Sequence, residues 1–143
     1  MKRILCLDVG ERRIGVAVSD EWQMLARGLG RIERNGSEIE KIKEFISDYQ
    51  VESVVYGLPL RMDGSISAQA EKTMAFVGKM QGGGISLPFI PFDERLSSRQ
   101  AETILLQADI SRRKRKKHID KLSAQIILQN YLDSKREVET EEF

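Results

Sequence analysis

Apolar residues change their period once along this chain, near Ser37, and that switch limits the fold more than any other feature. Before it, strand-like runs follow one another with short connections: Ile4 to Val9, Arg13 to Ser19 (RIGVAVS) and Leu25 to Arg34, the last weakened by Gly28 and Gly30. Successive short strands with brief links predict an antiparallel meander. After it, Ile39, Ile42, Phe45, Ile46 and Tyr49 recur at helical spacing, behind a capping-box signature of Ser37 and Glu40. Ser53 to Gly57 (SVVYG) reads as a short buried strand ended by Pro59. Asp63-Gly64 is a turn signal. Ile66, Ala70, Met74, Val77 and Met80 mark a second helix, stopped by Gly82-Gly83-Gly84. Leu87 to Glu94 is extended, and Pro88 and Pro91 suit an edge position. Ser97 with Gln100 opens a third helix carrying Ala101, Ile104, Leu105 and Ala108. A basic loop leads into a last helix from about Ile119 to Lys135.

The predicted order is β-β-β-α-β-α-β-α-α: one mixed-sheet α/β domain with helices on both faces. At 143 residues the chain is long enough to bury about two-thirds of its unfolded surface without a disulfide or metal staple. We place the domain at residues 1–136 and an acidic, frayed tail at 137–143.

Charge and composition remove several function classes. Lys plus Arg is 23 and Asp plus Glu is 22, for a net charge of +1, which excludes a wholly basic protein but not a local basic patch. Cys6 is the only cysteine, so neither an intramolecular disulfide nor a Cys-rich zinc site can form, and a reducing cytoplasmic setting fits. Inside an apolar run, Cys6 reads as packing. The lone His118 adjoins a dense run of cations and is a poor candidate for a neutral catalytic base. No apolar stretch approaches the roughly 18–20 residues of a membrane span. Met1-Lys2-Arg3 leads into only a few apolar residues before Asp8, too few for a signal peptide.

Carboxylates remain. Ile4, Cys6 and Asp8 share one face of the first strand, and a carboxylate at the end of a buried run is costly unless paired or metal-bound. Asp93-Glu94-Arg95 ends the last strand, where alternation sends Asp93 and Glu94 to opposite faces. Asp120 opens the last helix, on one side with Ser123, Ala124, Ile127 and Tyr131. Each has a plain alternative: a strand-end acid in solvent, loop charges paired with Arg95, an acid favoured by the helix dipole. Together, three acids at strand ends and on a covering helix make a set of hard oxygen ligands suited to Mg²⁺ or Mn²⁺. Two such ions can activate water and stabilise the leaving oxygen of a phosphodiester.

Arg112-Arg113-Lys114-Arg115-Lys116-Lys117 concentrates six cations next to Asp120. Like charges in such a run repel, so it reads as a solvated loop. At the rim of a carboxylate cluster, such a loop would hold a phosphate backbone. Glu11-Arg12-Arg13, just after Asp8, adds further cations. Asp8-x-Gly10 in a hairpin also looks like the phosphate loop of actin-like ATPases and sugar kinases, but those clamp a nucleotide between two such domains and one is present here.

Four ordered segments resemble a known family: Leu7 to Asp20 (LDVGERRIGVAVSD), Tyr56 to Ser65 (YGLPLRMDGS), Phe92 to Ser98 (FDERLSS) and Ile119 to Asp133 (IDKLSAQIILQNYLD). They are similar to the YqgF/RuvX-type pre-16S rRNA nucleases, also described as Holliday junction resolvases, over essentially the whole chain except the acidic tail. The resemblance implies a ribonuclease H-like fold with a mixed five-stranded sheet. It implies a two-metal phosphodiesterase site with Asp8 as central ligand, Glu94 as second acid and Asp120 as third. It implies phosphate contact or support of the acids by Arg12, Arg95 and Ser97.

The leading expectation is therefore a Mg²⁺- or Mn²⁺-dependent nuclease in 5′ maturation of 16S rRNA, in the cytoplasm and with no membrane partner. Resolution of four-way DNA junctions is the alternative and implies a homodimer with paired sites. A non-catalytic nucleic-acid-binding module, depending on Arg112 to Lys117 but not on the acids, is the third.

Overall fold

The computed structural model describes residues 2–93 and 112–141, with side chains of the last helix described over 122–136. The expected third helix, Glu94 and Arg95 lie outside the described residues. The elements are β1 (Arg3–Val9), β2 (Arg13–Ser19), β3 (Ala26–Glu33), α1 (Glu38–Tyr49), β4 (Val51–Leu58), α2 (Ala68–Gly82), β5 (Phe89–Asp93) and α3 (Arg112–Glu141).

The strands form one sheet in the order β3-β2-β1-β4-β5. β1, β2 and β3 pair antiparallel as a meander, while β4 joins β1 and β5 joins β4 in parallel. The order follows from the connections: short turns pair neighbours antiparallel, and the helical crossovers return the chain to a parallel strand. β5, with its Pro91, takes an edge, where a missing N–H costs no ladder bond. Gly30 does not break β3. It sits at φ +123°, beside a register shift between Val16 and Ala17, and a backbone bulge of this kind calls for glycine.

Strand alternation sorts the core into two layers. Leu5, Leu7, Val9, Ile14, Val16, Val18, Val54 and Tyr56 face α1 and α2, against Ile42, Phe76, Val77 and Met80. Ile4, Cys6, Ala17 and Val55 face α3, against Ala124, Ile127, Leu128 and Leu132. Helices thus cover both faces, in the mixed five-stranded α/β arrangement expected.

Several local expectations are corrected. Ser37 is the N-cap of α1 but makes no side-chain capping bond. Its hydroxyl donates instead to Asn35, and the Glu38 carboxylate accepts from the Gly36 amide. The Ser67 hydroxyl does cap α2, accepting from the Ala70 amide at 3.0 Å. The largest correction is α3, which is helical from Arg112, so the six-cation run is helix and not loop. Arg and Lys are good helix formers, and like-charge pairs one turn apart cost only a few tenths of a kcal/mol each. Once Ser123 to Leu132 is packed on the sheet, adding turns needs no new nucleus. The same helix continues through Glu141.

The far end of the sheet is closed by the β2–β3 turn. Asp20 accepts from the Met24 and Leu25 amides at 2.8 and 3.0 Å. Those bonds, led by the one from Leu25, hold its carboxyl below the usual aspartate range. α3 grips this turn: Gln129 accepts from the Ala26 amide at 2.8 Å, and Gln129 and Arg136 both donate to the Met24 carbonyl.

Candidate active site

Asp8 is the last residue of β1 on the α3 face, following Ile4 and Cys6 by strand alternation. It is half-buried. Its antiparallel partner is Gly15. On the other side β1 pairs Cys6 with Val55 and Leu7 with Tyr56, so the next step brings Gly57 beside Asp8. The carboxylate therefore stands between two strand neighbours without side chains. Larger residues there would crowd it, since facing side chains on paired strands lie only about 5 Å apart.

α3 supplies the roof. Its Gln129 is bonded to Ala26, Ala26 pairs with Ser19, and the Ser19 hydroxyl accepts from the Ile4 amide at 2.8 Å. Lys135 and Arg136 reach Gln23 and Met24 in the β2–β3 turn, so α3 runs antiparallel to β1. The four steps along the strand from Ile4 to Asp8 and the nine along the helix from Gln129 back to Asp120 each cover about 13 Å. The Asp120–Ser123 turn thus comes over the end of β1 that carries Asp8. Ala124 is fully buried, and its small side chain lets the helix sit close.

The other acids sort differently. Ile90 and Phe92 pack on the α3 face, so Asp93 points to the opposite face from Asp8. Asp63 accepts from both the amide and the hydroxyl of Ser65, at 2.9 and 2.6 Å, and is an exposed turn-former. Glu94 and Arg95 lie outside the described residues. Arg12 is exposed in the β1–β2 turn, just beyond Asp8. Arg112 to Lys117 occupy the first turns of α3, roughly 5 to 12 Å along the helix axis from Asp120.

Sequence reasoning missed the supports of the β1 end. Arg34 Nη1 donates to the Gly10 carbonyl at 3.0 Å, and Gln69 Nε2 to the Val9 carbonyl at 3.1 Å. Lys72 pairs with Glu11 at 2.9 Å, and this bond with its attendant charge lowers the Glu11 pKa. All these bonds join residues more than twenty positions apart, so no local pattern announces them.

The donor chemistry suits a hard divalent cation. Asp8 offers carboxylate oxygen between Gly15 and Gly57. On the facing helix the buried Ser123 hydroxyl has no hydrogen-bond partner among the described residues, which leaves polar capacity between α3 and the sheet. Among the described residues, no group of three His, Cys, Asp or Glu side chains assembles; of the three expected acids, Asp8 is the one whose side chain is described, and Asp120 is known by its place in the first part of α3.

Known proteins share this chain's sequence pattern and its fold. The family described as "RuvX: Holliday junction resolvase" matches residues 2–134. A protein of Desulforamulus reducens named "Putative pre-16S rRNA nuclease" is 48% identical over 134 residues, covering 92% of this chain and 97% of the relative. One of the same name from Thermoanaerobacter pseudethanolicus is 47% identical over 137 residues, covering 94% and 98%. Among solved structures, T. thermophilus RuvC in complex with Holliday junction substrate aligns with TM-score 0.57 and 13% identity, covering 95% of this chain and 96% of that one. Fowlpox virus resolvase with Holliday junction DNA aligns with TM-score 0.58 and 12% identity, covering 92% and 97%. At such identities the structural likeness speaks for the fold: the sheet and helix order is that of the ribonuclease H-like resolvases.

Proposed function

This chain belongs to the RuvX family of Holliday junction resolvases and is with it a nuclease, and we propose that it hydrolyses phosphodiester bonds in 5′ maturation of pre-16S rRNA, in the cytoplasm, with divalent metal held by Asp8, Glu94 and Asp120. The observation that carries the site is Asp8 on the α3 face between Gly15 and Gly57, under the Asp120–Ser123 turn. Glu94 is the second acid on the strength of the family resemblance carried by Phe92 to Ser98. Mg²⁺ or Mn²⁺ bound there, as a pair, supplies water activation and stabilisation of the leaving oxygen.

The chain's own residues do the rest. Asp8, on the central strand, would hold the metal at the end of β1. Asp120, the third acid, would add an oxygen ligand from α3. Arg12, Arg95 and the Arg112 to Lys117 turns of α3 hold the phosphate backbone, with an affinity that falls as salt rises. Those residues belong to the first turns of α3.

Wild type and Asp8→Asn, each offered 5′-extended 16S precursor RNA and a synthetic four-way DNA junction with Mn²⁺, test the reading. Cleavage of the RNA should fall by at least about a thousandfold in Asp8→Asn, since metal assistance supplies several kcal/mol, while circular dichroism stays unchanged. Full activity in Asp8→Asn would overturn the mechanism. The family description favours a second reading, junction resolution. Cleavage of the junction alone, by a homodimer, would put that reading first.

A further inference from the structure

The β1–β2 turn is tied down from the side of the sheet opposite α3. The chain leaves β1 through Val9 and Gly10, and the Gly10 amide closes the turn on the Arg13 carbonyl at 2.8 Å. A Cβ on Gly10 would come within 2.8 Å of that same carbonyl oxygen, so the turn leaves no room for a side chain there. Its outward carbonyls do not go to solvent. Gln69, in the first turn of α2, takes that of Val9, and Arg34, just after β3, takes that of Gly10. The Arg34 backbone amide also donates to the Arg12 carbonyl at 2.9 Å.

Arg34 is itself held. Its guanidinium lies 4.7 Å from the centroid of the Phe76 ring and 3.9 Å from the Glu38 carboxylate. A planar cation stacked on an aromatic face loses little further freedom when it donates to a carbonyl. A carbonyl bonded to a guanidinium is bound more firmly than one bonded to a neutral donor.

We infer that Arg34 and Gln69 are positioning residues for Asp8: from behind the sheet they hold the carbonyls of Val9 and Gly10 and so fix the strand end that presents the carboxylate. The ladder already pairs Val9 with Ile14, so the turn would close without them. What the added bonds remove is freedom of β1 to shift or fray within two residues of Asp8. Residues that orient a metal ligand commonly change metal affinity about 10- to 100-fold when lost. This role rests on the proposed metal site.

The test measures Mn²⁺ binding by calorimetry on the full chain, alongside thermal unfolding. Arg34→Met keeps apolar contact with Phe76 and removes the bond to Gly10; Mn²⁺ affinity should fall about tenfold. Arg34→Lys, which can still donate to the carbonyl, should recover most of it. Gln69→Leu should weaken binding in the same direction and stands in if Arg34→Met does not fold. Val77→Ala, in the core on the same helix, should lower the melting temperature and leave Mn²⁺ affinity unchanged.

Wild-type Mn²⁺ affinity in both Arg34→Met and Gln69→Leu would overturn the inference, as would an equal loss in Val77→Ala. Equal Mn²⁺ binding by wild type and Asp8→Asn would instead overturn the metal site itself, and the positioning role with it. A loss in Asp8→Asn with no loss in Arg34→Met or Gln69→Leu would leave the site standing and remove only the positioning.

Discussion

The two faces of the sheet are built for different ends. Toward α1 and α2, β1 shows Leu5, Leu7 and Val9, and large side chains answer from both helices. Toward α3, the same strand shows Ile4, Cys6 and Asp8, and its flanking strands offer Ala17, Val55 and glycines. One face is thick and apolar to its end. The other is thin and turns polar at the last residue of the strand. Among the described residues the thick face holds the larger buried cluster, which frees the thin one to carry an acid where apolar packing would ordinarily continue. The supports of the β1 end come from the thick side as well, through Arg34 over Phe76 and Gln69 on α2.

Neighbouring residues of β1 test that division most sharply. Leu7→Ala strips a fully buried side chain from the thick face and should cost about 2–5 kcal/mol in urea unfolding. Molecules that remain folded should keep their Mn²⁺ affinity. Strong loss of Mn²⁺ binding with little loss of stability would break the comparison. Ala124→Leu does the reverse. It overfills the thin face and should cost about 1–3 kcal/mol, and by lifting α3 it should weaken Mn²⁺ binding as well. Unchanged binding would mean that the closeness of the helix is not what assembles the site.

The smallest effect belongs to the far end of the sheet. Asp20→Ala removes the acceptor for two turn amides and should cost about 1 kcal/mol, with no change in cleavage. The Asp20 carboxyl titrates below its ordinary value because the folded turn stabilises the anion. Its contribution is therefore complete above the unfolded value of about 3.9 and disappears as pH falls through the lower folded value. Comparing acid unfolding of wild type and Asp20→Ala checks the sign: their stability gap should close below about pH 4.

Most of this architecture is legible in the sequence because alternation and helical spacing are local. The strand meander, the edge position of the Pro91 strand and the common face of Ile4, Cys6 and Asp8 all follow from them. The start of α3 does not, because apolar periodicity marks where a helix packs and is silent over Arg112 to Lys117, where it only continues. The capping box failed at Ser37 because Asn35 competes for the same hydroxyl. Arg34 and Gln69 were invisible for a different reason. Their partners are backbone carbonyls, which carry no sequence signature and meet these side chains only when the sheet is formed.

The β2–β3 turn has a practical consequence in the optics of this molecule. Trp22, the chain's single tryptophan, sits on that turn with 69% of its surface exposed. A tryptophan already wet in the native state changes its emission little when the chain unfolds. Fluorescence will therefore be nearly blind to loss of the core, while remaining sensitive to whatever touches the turn. A titration followed by Trp22 would report local contact at the end of the sheet remote from Asp8, and circular dichroism would be needed to report the fold.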